Sequence, residues 1–220
     1  MPCRRRSRRC RDERIMETAT AQEKYPQYWT KKLLNRGHPD VEHREISMEF
    51  LYRHGKDTTG SVLNCGSGND LYAYGRFFPK CSRYRLLNLK TPQWIGKPRE
   101  IIIADVQDMP QIPTDSEDCI IAYWLLCLLS DHRAALAELK RVLKPNGTLL
   151  IMFMAGAYED NANVLSRWTH VEAGEMLDPL FKVEEAQLLC GPRMSPPLEP
   201  ARLIVNGRKH LMTFIKASPI

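Results

Sequence analysis

The feature that most constrains the fold is a series of short apolar segments separated by stretches of different character. Five of them have the length of a β-strand: 61–65, 84–89, 101–104, 119–123 and 148–154. Between the last two, apolar residues recur at helical spacing over 131–144. Strands that are apolar on both faces and alternate with helices predict a parallel β-sheet with helices on each side, an α/β fold.

The rest of the chain extends this pattern at both ends. Helical patterns cover 23–55 and 164–180, and strand-like segments cover 181–189, 203–205 and 210–216. The last two segments flank Asn206-Gly207, a dipeptide typical of hairpin turns. We therefore expect the C-terminal part to add an antiparallel strand at the edge of the parallel sheet.

Positive charge is concentrated near the N-terminus. Residues 1–14 hold seven Arg and two acidic residues, whereas the formal net charge of the whole chain is only +6. A run this rich in Arg cannot bury apolar surface, so we expect a disordered tail over 1–15. We interpret it as a solvated extension, with a nuclear address, a nucleic-acid tether and part of a targeting peptide as alternatives.

Length and composition exclude several classes of protein. A chain of 220 residues predicts one main domain. No uncharged run approaches the ~20 residues of a membrane-spanning helix, and no apolar signal-peptide core follows the N-terminus. The seven cysteines form no CxxC pair and His38 and His43 have no partner at metal-ligand spacing, so we expect neither disulfides nor a metal site. A cytoplasmic location is expected, with the nucleus as the alternative suggested by the Arg-rich tail.

The chemistry-bearing feature is a glycine-rich bend. Gly66-Ser67-Gly68 follows the first strand directly, and Asn69-Asp70 can cap a helix after it. Glycines at such a bend let the backbone approach a ligand, and the amides that open the helix can face its polar end. The same residues are also compatible with a simple tight turn. Two further positions favour a nucleotide-like ligand, because Asn88 ends the second strand and Asp105 follows the third.

Three segments together resemble a protein family. They are VLNCGSGND (62–70), IADVQDMPQIPTDSED (103–118) and ALAELKRVLKPNGTLLI (135–151). The sequence resembles the class I S-adenosylmethionine-dependent methyltransferases, most closely the subgroup whose first strand reads LNxGSG. The resemblance implies a Rossmann-like, doubly wound, mostly parallel sheet of seven strands with the last antiparallel, over 59–220. It also implies an N-terminal helical lid over 16–58, in which Tyr28 and Trp29 form an aromatic pair.

The resemblance implies that S-adenosylmethionine is the cofactor and that the glycine-rich bend lies beneath it. Gly66 and Gly68 would pass under the methionine and ribose. Asn64, Cys65 and Ser67 would lie beside them.

The resemblance also implies four contacts farther along the site. Asn88 would bind the ribose hydroxyls, and the Asp105 carboxylate would accept a hydrogen bond from the adenine amino group. The backbone amide of Val106 would face a ring nitrogen, and Tyr123 would lie near the methyl sulfonium. No catalytic residue is assigned.

Several residues depart from the family pattern. Asn64 and Asn88 stand where acidic residues are common, Asp70 replaces a third glycine, and Cys127-Leu128 replaces a frequent Glu-His pair. The missing glycine also disfavours a nicotinamide dinucleotide site.

The expected function is methyl transfer to a small-molecule or sugar-like acceptor. The alternatives are a catalytically decayed binding or scaffold protein and a nucleic-acid methyltransferase that uses the Arg-rich tail as a tether. Nucleic acid is otherwise an unlikely partner, because the body of the chain is nearly neutral.

Overall fold

The computed structural model describes residues 40–68, 74–91, 100–154, 170–190, 193–194 and 210–220. The chain divides into two compact units, Met1–Arg44 and Glu45–Ile220, and the β-sheet belongs to the second. The expected Arg-rich tail, most of the expected lid with Tyr28 and Trp29, and the cap residues Asn69 and Asp70 lie outside the described residues.

The helices and strands lie close to the segments that the apolar pattern predicts. The helices are α1 (Asp40–Gly55), α2 (His132–Val142) and α3 (His170–Leu177), with short 3-10 helices at Tyr74–Phe77 and Leu126–Leu128. The strands are β1 (Ser61–Cys65), β2 (Arg83–Asn88), β3 (Glu100–Ile103), β4 (Glu117–Tyr123), β5 (Leu143–Met154), β6 (Phe181–Cys190), β7 (Arg193–Met194) and β8 (His210–Pro219). Among the described residues, no helix is long and apolar enough to cross a membrane.

The strands form one mixed sheet in the order β3-β2-β1-β4-β5-β8-β6-β7. Strands β1 to β5 pair in parallel, and β8 is antiparallel to both β5 and β6. The seven longer strands confirm the predicted Rossmann-like sheet, to which the two-residue β7 is added beside β6. The expected edge position of the last strand is wrong. Strand β8 lies inside the sheet because Phe214, Ile215 and Ala217 are buried and both sides of the strand are paired.

Helix α2 shows how the sequence determines its local structure. Asp131 is its N-cap, since its carboxylate accepts a hydrogen bond from the Ala134 amide at 3.0 Å. Its buried face consists of Ala135, Leu136, Leu139 and Val142. Lys140 and Arg141 lie in the last turn, where they stabilise the negative end of the helix dipole.

Pro145-Asn146-Gly147 has the composition of a turn, but in the structure it lies in a bulge inside β5. Glu117 pairs with Leu143 and Cys119 pairs with Thr148, so residues 144–147 are displaced from the ladder. Asn146 is exposed there. The bulge lets the helix-to-strand connection remain part of the sheet.

A buried ion pair joins three strands at the edge of the sheet where β1 and β4 begin. The Arg85 guanidinium binds the Glu117 carboxylate, and the Ser61 hydroxyl donates a hydrogen bond to Glu117 at 2.7 Å. Glu117 is fully buried and Arg85 nearly so. Because both charges are paired away from water, this contact holds β1, β2 and β4 in register far from the strands' carboxyl ends.

Candidate functional site

The carboxyl ends of four neighbouring strands define the candidate site. Asn64 of β1 pairs with Leu86 of β2 and Ile121 of β4, and Asn88 pairs with Ile103 of β3. The residues that follow these strands therefore share one edge of the sheet. The strand order reverses between β1 and β4, and open α/β sheets bind ligands in the crevice at such a reversal.

The glycine-rich bend has the backbone conformation that only glycine adopts readily. Gly66 and Gly68 have φ angles of 70° and 55°. The Gly66 amide donates to the Leu87 carbonyl at 2.8 Å, and a Cβ added at Gly66 would lie 2.8 Å from Leu125 Cδ1. A Cβ added at Gly68 would meet no atom of the described residues within 4 Å. Gly66 is therefore held by packing, whereas Gly68 borders space that no described residue fills and that a ligand can enter.

Asn88 fastens this bend to the end of β2. Its Oδ1 accepts a hydrogen bond from the Gly68 amide at 2.8 Å, and its Nδ2 donates to Ser67 Oγ at 2.9 Å and to the Gly68 carbonyl at 3.2 Å. The residue is buried. Both amide hydrogens of Asn88 are thus engaged by the glycine-rich bend itself.

A polar chain links the end of β3 to the start of α2. The Asp105 carboxylate accepts hydrogen bonds from the Gln107 amide at 2.9 Å and from Gln107 Nε2 at 3.1 Å. Gln107 Oε1 in turn accepts from the Asp131 amide at 2.8 Å. Val106 between them is buried. Sequence reasoning misses Gln107, although it identifies the neighbouring Asp105 and Val106.

Tyr123 ends β4 with its hydroxyl buried. Among the residues that the structure describes, nothing forms a hydrogen bond with that hydroxyl. The Tyr74 ring contacts the Tyr123 ring edge-on, with the centroids 5.7 Å apart. Burial raises the pKa of Tyr123 well above its usual value, so the hydroxyl keeps its proton and can donate it in a hydrogen bond.

Trp124, directly after β4, has a φ angle of 57°, which large side chains rarely adopt. Its amide donates to the Met152 carbonyl at 2.9 Å, so the strained residue remains attached to β5. Strain of this kind concentrates at functional sites. No signal in the sequence predicts it.

The side chains of Asn64 and Cys65 face the interior of the fold. Asn64 Nδ2 donates to the Tyr84 hydroxyl at 3.1 Å, and both Asn64 and Cys65 are buried. Burial raises the pKa of the Cys65 thiol, which keeps it protonated. These two residues can therefore meet a ligand chiefly through their backbone.

The residues in place of the frequent Glu-His pair supply no acid or base. The Cys127 thiol is buried and donates to the Trp124 carbonyl at 3.6 Å, and burial raises its pKa. Leu128 is exposed. Among the described residues, no three His, Cys, Asp or Glu side chains are grouped so as to hold a metal ion.

Comparisons with known proteins agree with this geometry. Residues 63–151 match the family described as Methyltransferase domain. An S-adenosylmethionine-dependent methyltransferase from Aquifex aeolicus has a similar structure, with 15% identity and a TM-score of 0.55 over 86% of this chain and 97% of that chain. No curated protein sequence matches the chain.

Two further solved structures share the fold. The 1,6-didemethyltoxoflavin-N1-methyltransferase of Burkholderia thailandensis, with 1,6-didemethyltoxoflavin and S-adenosylhomocysteine bound, has 14% identity and a TM-score of 0.59 over 93% of this chain and 89% of that chain. The N-methyltransferase NodS of Bradyrhizobium japonicum has 16% identity and a TM-score of 0.58 over 81% of this chain and 97% of that chain.

Residues 63–151 therefore form a methyltransferase domain, and the sheet has the Rossmann-like fold of the methyltransferases compared above. This chain is accordingly an enzyme whose methyltransferase domain includes residues 63–151 and whose cofactor is S-adenosylmethionine. The described residues fit that cofactor, since Gly68 borders open space and the buried Tyr123 hydroxyl has a hydrogen bond to offer.

Proposed function

We propose that this enzyme methylates a small-molecule or sugar-like acceptor and belongs to the subgroup with an LNxGSG first strand. The observation that carries the proposal is the open space at Gly68, which lies at the strand-order reversal beside the polar end of β2. The toxoflavin-precursor enzyme with the same fold, which binds a small acceptor together with S-adenosylhomocysteine, supports this class of substrate.

The proposed cofactor site begins at the glycine-rich bend. Gly66, Ser67 and Gly68 would run beneath the methionine and ribose, with the backbone of Asn64 and Cys65 at the end of β1 beside them. The positive φ angles at Gly66 and Gly68 support this placement, because they turn the backbone without a side chain in the way.

The adenine and methyl ends of the proposed site lie beyond β2. Asn88 would lie at the ribose, and the Asp105 carboxylate would accept from the adenine amino group while the Val106 amide faces a ring nitrogen. The hydrogen bonds from Gln107 orient the Asp105 carboxylate in advance, which reduces the entropy lost on binding. Tyr123 would lie near the transferable methyl group.

The chemistry needs little from the protein beyond position. Bound S-adenosylmethionine supplies a methyl group on a positively charged sulfur, which is an excellent leaving group. Transfer of that methyl group to a lone pair of the acceptor would break the carbon–sulfur bond and leave S-adenosylhomocysteine. The described residues Tyr123, Cys127 and Leu128 offer no base at ordinary pH, so we infer an acceptor that releases its proton to water and a rate enhancement based on proximity.

The test is calorimetric titration of the full chain with S-adenosylmethionine and S-adenosylhomocysteine, followed by a methyl-label screen over metabolite and glycan pools. Gly68→Ala places a methyl group in the open space and should weaken binding of both ligands at least tenfold, roughly 1.4 kcal/mol. Gly174→Ala, in α3, controls for the added methyl group alone, because a Cβ there also meets no described atom within 4 Å; it does not reproduce the strain of alanine at the positive φ of Gly68. Absence of binding would refute the cofactor site, and binding without labelled product would refute the acceptor class.

A further inference from the structure

The asparagine at the end of β2 differs from the acidic residue expected there, and its hydrogen bonds explain the difference. Oδ1 of Asn88 accepts from the Gly68 amide, and Nδ2 donates to both Ser67 Oγ and the Gly68 carbonyl. A carboxylate could replace the acceptor but not the two donors. The second oxygen of a carboxylate would also take the place of Nδ2, which lies 3.2 Å from the Gly68 carbonyl oxygen, and would put two acceptors side by side.

We propose that Asn88 is a positioning residue, which holds the glycine-rich bend in its ligand-receiving shape, rather than a direct ligand of the ribose hydroxyls. The proposal rests on the proposed function, in which this bend receives S-adenosylmethionine. It assigns Asn88 a different task from the one implied by the family resemblance. The amide is then required where relatives use an acid, and its presence is no sign of a decayed site.

Three features support this assignment. Asn88 is 7% exposed, so its amide hydrogens have little access to water as an alternative partner. Gly68 is exposed, and the space where its Cβ would lie holds no described side chain to support it. Its positive φ angle belongs to a conformation that glycine can leave without steric cost. The hydrogen bonds from Asn88 therefore select one of several backbone shapes that this bend can adopt.

The proposal is tested first on the protein without ligand. Amide hydrogen exchange should show a protected Gly68 amide that exchanges about tenfold faster in Asn88→Ala. The Gly66 amide, which donates to the Leu87 carbonyl, should keep its rate in the same sample. A Gly68 amide that is unprotected in the unmodified protein, or unaffected by Asn88→Ala, would overturn the proposal whether or not the protein binds S-adenosylmethionine.

The second test separates positioning from direct contact with the sugar. Affinities are measured by calorimetry for S-adenosylhomocysteine and its 2′-deoxy and 3′-deoxy analogues. If Asn88 acts through the bend, Asn88→Ala weakens all three ligands by the same factor, about tenfold. If it binds the hydroxyls, removing a hydroxyl weakens binding to the unmodified protein but has no effect in Asn88→Ala, because the two losses are not additive.

The substitution to the family's usual residue gives the sharpest contrast. Asn88→Asp should weaken S-adenosylhomocysteine about tenfold, whereas a ribose-binding role predicts equal or tighter binding. Asn146→Asp is the matched control, since it adds the same charge at an exposed position in the β5 bulge.

Ser67→Ala removes one partner of the Asn88 amide with little risk to folding and should weaken all three ligands equally. Tighter binding by Asn88→Asp would refute the positioning role, as would a hydroxyl penalty that changes in Ser67→Ala.

Discussion

Replacing Tyr123 by Phe should stabilise the free protein and weaken its ligand. The Tyr123 hydroxyl is buried, and the structure describes no hydrogen-bond partner for it. A buried polar group without a partner costs about 1–3 kcal/mol, so removing only the oxygen should recover up to about 1 kcal/mol. For a chain of 220 residues this raises the melting temperature by about 2–4 °C.

Tyr84→Phe is the matched control because the Tyr84 hydroxyl has a partner. It accepts a hydrogen bond from the buried amide of Asn64 at 3.1 Å. Its loss leaves that amide unsatisfied, so the melting temperature should fall by at least about 2 °C. Both variants keep the ring, and the comparison therefore isolates the two oxygens.

The assay is thermal unfolding with and without saturating S-adenosylhomocysteine. S-adenosylhomocysteine should raise the melting temperature of Tyr123→Phe less than that of the unmodified protein, because the hydroxyl that would form a hydrogen bond with the ligand is missing. The affinity for the ligand should fall about tenfold. A lower melting temperature for free Tyr123→Phe, comparable to that of Tyr84→Phe, would show that this hydroxyl is satisfied in the free protein and would refute the reasoning.

Three other perturbations have definite outcomes. Glu117→Ala leaves the buried Arg85 guanidinium with only its longer, 3.8 Å contact to Glu100. It should therefore destabilise the fold by about 3 kcal/mol in urea titration, with an unchanged midpoint as the contradicting result. Gly66→Ala should lower the melting temperature more than Gly68→Ala, because only Gly66 lacks space for a methyl group. Burial lowers the pKa of His54 in the folded protein. As the pH drops through about 6.5, the unfolded chain therefore takes up a proton at His54 before the folded protein does, and the stability of the fold should decrease. His54→Gln should reduce this decrease, as measured by melting temperatures at several pH values.

The sequence predicts the central sheet well because its information there is local. Apolar strands recur between turn residues, and the helix opened by Asp131 has a clear buried face, so β1 to β5 and α2 are all recognised. The glycine-rich bend is predicted for the same reason, since two glycines after a strand are typical of a tight turn.

What could not be predicted depends on contacts between distant residues. The insertion of β8 between β5 and β6 requires pairing of segments far apart in the chain, which no local pattern encodes. The position of Asn88 is evident from the sequence, but its three hydrogen bonds to the bend are not. The positive φ of Trp124 is imposed by the surrounding fold against the preference of the residue itself.

The interior position of β8 has a consequence for biosynthesis. Strand β6 leaves the ribosome before β8, yet β8 is the strand that attaches it to β5. Until β8 pairs with β5, the free edge of β5 exposes unpaired backbone N–H and C=O groups, and an exposed strand edge of this kind promotes aggregation. The methyltransferase can therefore complete its sheet only after residues 210–219 have emerged from the ribosome.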